Sequence, residues 1–436
     1  MSSSRRNTSR CPVTDPRGTT TIGSLDPLPT QGIRGGFAEN GLPLARLADG
    51  LVGSVIDSST SLLAGIEHDV VRFAMGAPAP EAIPVQALRE LAGGALDAGS
   101  FTYGASEGEP GLLAAIADGY ADTRGTSAER VVITSGGMQG LDLACKLFID
   151  PGDLVVVESP TYTNGSATAL SYGAELLEIP IDDSGMVIDE LVEQVAASGR
   201  TPKLIYTICN FQNPSGVTLS AERRQRLLEL AHRWGAVILD DDPYGLLRFV
   251  GDDLPGFAEL SPGDPHVFSV RTFSKVLAPG LRVGWVDADH RLRPLLISAK
   301  QAMDTCTNVP NQHLIDGFLR GGGLQEHLTG LRDTYRLRRD ALLRSLAAHL
   351  GDRVRSTVPE GGMFCWVTLL GDGAVSAHEL FEVALGRGVA FIPGPALSPS
   401  GRFGDALRIC YATEDPGRID VGVRRLAAAL DELEAR

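Results

Sequence analysis

The sequence predicts an α/β protein: a mostly parallel sheet of seven strands covered by helices, followed by a smaller α+β unit. Two observations carry this. Seven short apolar runs, at 131–134, 153–157, 174–180, 203–209, 235–239, 267–270 and 282–286, are mostly separated by stretches of helical spacing, notably 137–149, 184–198 and 220–234. Apolar runs between helices suit strands buried on both faces, with ligands bound beyond the strands' carboxyl ends. Then, after long helical patterns from 288 to 350, the chain mixes strand-like runs (362–369, 389–393, 406–411) with helical ones (377–387, 416–434).

The elements follow in order. Residues 1 to about 40 are rich in Ser, Thr, Arg, Pro and Gly without apolar periodicity, which predicts a disordered tail. Leu44, Leu47, Leu51, Val55 and Leu62 recur at helical spacing, with Ser54, Asp57 and Ser58 together on one face. Val70–Pro78, which contains Gly76, reads as a short strand running into a Gly/Pro loop. Residues 41–85 are therefore expected to form an arm and part of a small domain, 86–325 the large domain, and 326–436 the rest of the small domain. Tyr103 lies in the glycine-punctuated loop Phe101–Gly108.

A chain of 436 residues can bury two large cores. Its net charge of -15 opposes binding to nucleic acid or to anionic membranes, and no apolar run reaches the length of a membrane span. Arginines near the N-terminus precede no hydrophobic core, unlike a secretory signal. None of the six cysteines makes a C-x-x-C pair and four lie in apolar runs, so free buried thiols in the cytoplasm are expected. The eight histidines lack ligand spacing, and no metal site is expected.

The chemistry gathers around Ser269–Trp285, which reads as strand, tight loop, strand. Lys275 would sit in the loop, poorly solvated, with a lowered pKa and a nucleophilic amine. Thr272, Ser274 and Arg282 offer donors for a phosphate beside it. A Schiff-base lysine next to a phosphate cup is what pyridoxal phosphate requires. Other strand ends can be read the same way. Asp240-Asp241-Asp242 closes one run, where a pyridinium cation would offset clustered acids. Asn213 follows another run, ahead of Pro214. Ser135-Gly136-Gly137-Met138 precedes a helix whose amides can bind an anion. Tyr162 ends a fourth run, where it could stack on a flat ring. Singly, each has a plainer explanation as a turn, a solvated acid or a core aromatic.

Taken together, Asn213-Pro214-Ser215-Gly216, Asp240-Asp241-Asp242-Pro243-Tyr244 and Ser274-Lys275 with Arg282 resemble the class I/II aminotransferases of pyridoxal-phosphate fold type I. The chain looks closest to the 2-aminoadipate aminotransferase-like and MocR-domain-like branch, over roughly residues 45 to 434. The resemblance implies a Lys275 Schiff base, with Lys275 moving the substrate's α-proton. Asp241 would pair with the ring nitrogen, Asn213 and Tyr244 would hold the phenolate oxygen, and Tyr162 would stack. Gly136, Gly137, Met138, Thr272, Ser274 and Arg282 would surround the phosphate. Tyr103 would reach the partner subunit's phosphate, so a homodimer with shared sites is implied. Arg408 would clamp the α-carboxylate, with Asn213, Gly76, Ser54 and Asp57 also at the substrate. The implied reaction moves an amino group between an L-amino acid and a 2-oxo acid.

Two departures matter. Gly136-Gly137-Met138 has fewer hydroxyl or amide side chains than the family's phosphate loop, so backbone donors and weaker cofactor retention are expected. In the aminoadipate-like relatives the early helix reads Ser-x-Ile-Arg-Glu, whereas here it reads Ser54-Val55-Ile56-Asp57-Ser58. An anion in place of the arginine suggests a non-acidic or cationic substrate side chain. It leaves open elimination, replacement or C–C bond formation by the same cofactor. A plain capping or solvent-facing Asp57 explains the change equally well.

Overall fold

The structure, a computed structural model, describes residues 68–119, 121, 125–371 and 375–436, together with 45, 47, 48, 51 and 53. The expected tail at 1–40, most of the expected early helix, Ser54 and Asp57 lie outside the described residues.

In chain order the first strand is β1 (Val71–Arg72). Helices α1 (Val85–Ala95) and α2 (Pro110–Ala117) follow. The central unit then alternates: β2 (Val131–Thr134), α3 (Gly137–Phe148), β3 (Leu154–Ser159), α4 (Thr163–Ser171), β4 (Glu175–Asp182), β5 (Gly185–Met186), α5 (Ile188–Ser198), β6 (Leu204–Thr207), α6 (Ala221–Trp234), β7 (Val237–Asp241), α7 (Phe257–Leu260), β8 (Val267–Thr272) and β9 (Gly284–Ala288). Helices α8 (Arg293–Gln301), α9 (Val309–Arg320) and α10 (Gly323–His349) lead to β10 (Val354–Ser356), β11 (Phe364–Leu369), α11 (Ala377–Gly386), β12 (Val389–Ala390), β13 (Ile392–Pro393), β14 (Ala406–Cys410) and α12 (Pro416–Glu434).

The central sheet has the order β2-β9-β8-β7-β6-β3-β4-β5. Its middle pairs, β3 with β4 and β6, β6 with β7, and β7 with β8, are parallel. β9 runs antiparallel to both neighbours. The reason is local: no α-helix lies between β8 and β9, and a parallel return needs a long crossover. Seven strands match the expected runs. The eighth, β5, was missed because two residues are too short to show a period. It returns from β4 through a turn in which Ser184 N–H donates to Asp182 Oδ1 at 2.8 Å and Gly185 takes φ +90°. That turn also delays the helix expected from 184 to Ile188. The run expected from 282 begins at Gly284, because Arg282 adopts a left-handed backbone at φ +53°.

Side-chain alternation sorts the sheet's two faces. Val155, Val157, Tyr206, Leu239 and Val270 point into the larger core, whereas Val156, Ile205, Ile238 and Val267 point into the second. The same alternation sends Asp240 and Asp241 to opposite faces.

The terminal sheet is antiparallel, in the order β10-β11-β14-β13. β1 pairs in parallel with β12, which ties the segment before Gly76 to the end of the chain. Local signals set the helix ends. Ser220 accepts from Arg223 N–H ahead of α6, and Gly235 ends that helix at φ +66°. Ser376 and Glu379 form a reciprocal capping box on α11. Asp415 accepts from two amides at the start of α12, where Pro416 occupies the first turn.

Candidate active site

Beyond the carboxyl ends of the parallel strands lies a cavity of about 280 Å³. It draws Gly76, Met138, Tyr162, Asn213, Asp241 and Tyr244 together with Gly137, Thr272, Ser274, Lys275, Arg282 and Arg408. Gly136 stands beside them at the head of α3. Tyr103 is elsewhere, 86% exposed on its loop.

Lys275 is half-buried among these groups, and its Nζ donates to Gly76 O at 2.6 Å. Burial pulls its amine down to about 8, with Arg408 and Arg282 pulling the same way and Cys410 and Asp241 opposing. Of the three consecutive acids only Asp241 lines the cavity. Its Oδ2 accepts from Tyr206 O–H at 3.0 Å. Burial raises the Asp241 carboxyl to about 7; Tyr206 opposes, while Asp240 and Asp242 add to the rise. Asp240 instead accepts from Cys209 Sγ and Ser269 Oγ on the far face. Asp242 binds Asn210 Nδ2, Gly245 N–H and Arg271. Alternation thus assigns one acid to the site and two to the fold.

Arg408 is fully buried, as its place on β14 beside β11 requires. Its guanidinium lies 4.4 Å from the Phe364 ring centroid. Nη1 donates to Asn213 Oδ1 at 3.0 Å and Nη2 to Ala74 O at 2.7 Å, while Nε is buried without a partner. Asn213 thereby keeps its amide hydrogens for a ligand. Tyr244 packs edge-on against Phe364 with ring centroids 5.6 Å apart. Gly76 lies so close to Phe364 that a Cβ there would sit 3.3 Å from the ring.

At the other end α3 begins without a side-chain cap, with Gly136 at φ +83°. A Cβ on Gly136 would fall 2.3 Å from Arg282 Nη2, so glycine is required there twice over. Thr272 Oγ1 donates to Ser274 Oγ at 2.9 Å, and Arg282 Nη1 approaches that same oxygen at 3.4 Å. Open helix amides, two hydroxyls and a guanidinium suit a phosphate. A buried carboxylate, a depressed lysine and an arginine with a spare donor suit a ring cation, a carbonyl and a carboxylate.

Comparison with known proteins gives the family. The sequence profile of the family described as "Aminotransferase class I and II" matches residues 68–426. This chain belongs to the class I and II aminotransferases. It is 38% identical over 373 residues to aromatic-amino-acid aminotransferase 1 of Thermococcus litoralis, covering 84% of this chain and 88% of that protein. It is 37% identical over 375 residues to 2-aminoadipate transaminase of Thermus thermophilus, covering 84% and 91%. Among solved structures, the LysN α-aminoadipate aminotransferase from Thermus thermophilus, complexed with N-(5'-phosphopyridoxyl)-L-leucine, superposes with a TM-score of 0.83 at 35% identity, covering 92% of this chain and 99% of that one.

In this aminotransferase, several residues near the site escaped the sequence reading. Tyr206 holds Asp241, and Gly165 makes room for it, since a Cβ there would lie 2.4 Å from the Tyr206 hydroxyl oxygen. Glu158 is buried and accepts from Thr207 Oγ1, Ile208 N–H and Gln212 Nε2. Burial lifts its carboxyl to about 7 against those three bonds. Gln212 also donates to Pro160 O and accepts from Ser215, so it links the loops that carry Tyr162 and Asn213. Tyr206 was legible only as a core tyrosine, and Glu158 only as a strand-end acid. Among the described residues no cluster of three His, Cys, Asp or Glu could hold a metal ion, and no helix is long and apolar enough to cross a membrane.

Proposed function

We propose that this aminotransferase binds pyridoxal 5'-phosphate at Lys275 and moves the amino group of an L-amino acid to a 2-oxo acid. The observation that carries the reading is one cavity holding a half-buried lysine of lowered pKa, the lone inward acid Asp241, an anion cup and Arg408. The cofactor, when bound, supplies a carbonyl for amine capture and a ring that accepts the electrons of the broken Cα–H bond.

The chain's residues divide the remaining work. Lys275, at about 8, has a useful share of free amine at neutral pH and serves as nucleophile and then as base for the substrate's α-proton. Asp241 holds the proton on the ring nitrogen, steadied by Tyr206. Asn213 and Tyr244 donate to the ring oxygen, and Tyr162 covers the ring face. Gly136, Gly137, Met138, Thr272, Ser274 and Arg282 hold the phosphate. Arg408 takes the substrate's α-carboxylate with its guanidinium. Gly76, Ser54 and Asp57 complete the substrate's surroundings.

The relatives' names cover aromatic and acidic side chains. Asp57 is the departure that favours a non-acidic donor here. Tyr103, 86% exposed beside Phe101 at 70%, supports a homodimer in which this loop meets the partner subunit. The free cysteines Cys145, Cys209, Cys365 and Cys410 support a cytoplasmic location. The pairing of β1 with β12 supports a small domain made of 41–85 and 326–436 around a large domain at 86–325.

The test is single-turnover chemistry with cofactor-loaded protein, a panel of amino acids and no acceptor. One equivalent of 2-oxo acid from a preferred donor is expected. Lys275→Ala is expected to abolish it while retaining the fold. Undiminished activity in Lys275→Ala, or repeated turnover without an acceptor, overturns the reading.

A further inference from the structure

The turn at the head of α3 has no side-chain donor of its own, since Gly136, Gly137 and Met138 offer only amides. Such a turn holds an anion only as well as its amides are held in place. Behind it the structure carries a brace. Lys300, in the last turn of α8, is fully buried, and its Nζ donates to both Asp304 oxygens at 2.7 and 2.8 Å. Asp304 Oδ2 accepts from Ser135 Oγ at 2.7 Å. Ser135 N–H donates to Gln139 Oε1 at 2.8 Å, and Ser135 O accepts from Arg282 Nη2 at 3.2 Å. Residue 135 is thus pinned through its hydroxyl, its amide and its carbonyl. The turn presenting Asp304 is pinned as well. The amides of Met303, Asp304 and Thr305 converge on Lys300 O, and Thr305 takes φ +65°.

An ion pair with one partner buried and the other 23% exposed is a weak device for stability, because desolvation and solvent screening offset most of its attraction. This one is spent on a serine whose hydroxyl faces away from the cavity. Burial works against the Asp304 charge, yet Lys300, Ser135 and Gln139 hold the carboxyl below its usual range, so Asp304 stays ionised at neutral pH.

We propose that Lys300 and Asp304 are positioning residues that hold Ser135, and through it the amides of Gly136–Met138, in the geometry that captures the cofactor phosphate. This rests on the reading that the phosphate sits at this turn. It also explains how a loop poor in side-chain donors keeps its cofactor: rigidity from behind replaces hydroxyls in front.

The experiment titrates apoenzyme with pyridoxal 5'-phosphate and, separately, with pyridoxal, which lacks the phosphate. Ser135→Ala is expected to weaken pyridoxal phosphate about tenfold, the loss of one hydrogen bond to a charged group, and to leave pyridoxal unchanged. Ser135→Thr is expected to restore binding. The double variant Lys300→Met/Asp304→Leu replaces the pair with apolar side chains and is expected to show the same selective loss. If that variant does not fold, Ser135→Ala and Ser135→Thr decide alone. Unchanged pyridoxal phosphate affinity in Ser135→Ala overturns the brace, as does an equal loss for both ligands, which marks a general packing defect. Wild-type protein that binds pyridoxal as tightly as its phosphate overturns the phosphate placement itself.

Discussion

At one end of the cavity Asp241 is held by a side chain from the neighbouring strand and is largely buried. At the other end the turn at 135–138 offers backbone amides, and its supporting side chains stand behind it. The first arrangement tunes a charge, because burial, with Asp240 and Asp242 beside it, raises the carboxyl to about 7. The second shapes a receptor, because an amide has no pKa to tune and only its direction matters. On the proposed reading, the contrast places turnover at the Asp241 end and cofactor retention at the Arg282 end.

Four measurements can break or sharpen that contrast. The largest effect is expected from Asp241→Asn, which removes the charge and keeps the shape: turnover should fall by about a thousandfold, as for loss of a preorganised electrostatic partner. Cofactor affinity, measured by equilibrium titration, should change far less. An equal loss in both would erase the division. Arg282→Ala should show the converse, with cofactor affinity down by about ten- to a hundredfold and turnover at saturating cofactor much less affected. Tyr206→Phe should lower turnover by about tenfold, since it deletes one hydrogen bond to the carboxylate. Its cofactor affinity should match wild type, and an unchanged rate would place Tyr206 outside the chemistry.

The smallest effect concerns the apoprotein. Asp241 and Glu158 have folded values raised to about 7, from ordinary values of 3.8 and 4.5. The folded state therefore binds more protons than the unfolded state between those limits. Their contribution to stability is present below about 4 and is lost as pH rises towards 7. Lys275 acts at higher pH: its value is lowered to about 8 from 10.5, so the unfolded state binds more protons there and stability recovers as pH rises through that window. Melting temperature against pH should decline from 4 to 7 in the apoprotein, and less steeply in Asp241→Asn. Parallel profiles would show that Asp241 does not titrate in that range.

The sequence is legible where chemistry is written in short motifs. Lys275, Asn213, Tyr244 and Arg408 stand in such motifs, and one cavity gathers all four. It stops short where partners are distant in the chain. Tyr206 and Asp241 lie 35 residues apart, and Ser135 and Asp304 lie 169 apart. Lys300 and Asp304, four apart, read as an ordinary surface pair on a helix. Nothing local says that this lysine is fully buried.

The sequence by itself determined the alternation of strands and helices, the loop between β8 and β9, and the residue types available at each strand end. These follow from apolar periodicity, turn chemistry and a few ordered motifs, all of which act over neighbouring residues. The tertiary structure decided which of three adjacent acids faces the cavity, which way the Ser135 hydroxyl turns, and that Lys300 is buried beneath the anion-binding turn. Those outcomes depend on strand register and on packing between segments far apart in the chain. Burial sets the cost of each charge, and only the folded chain defines burial.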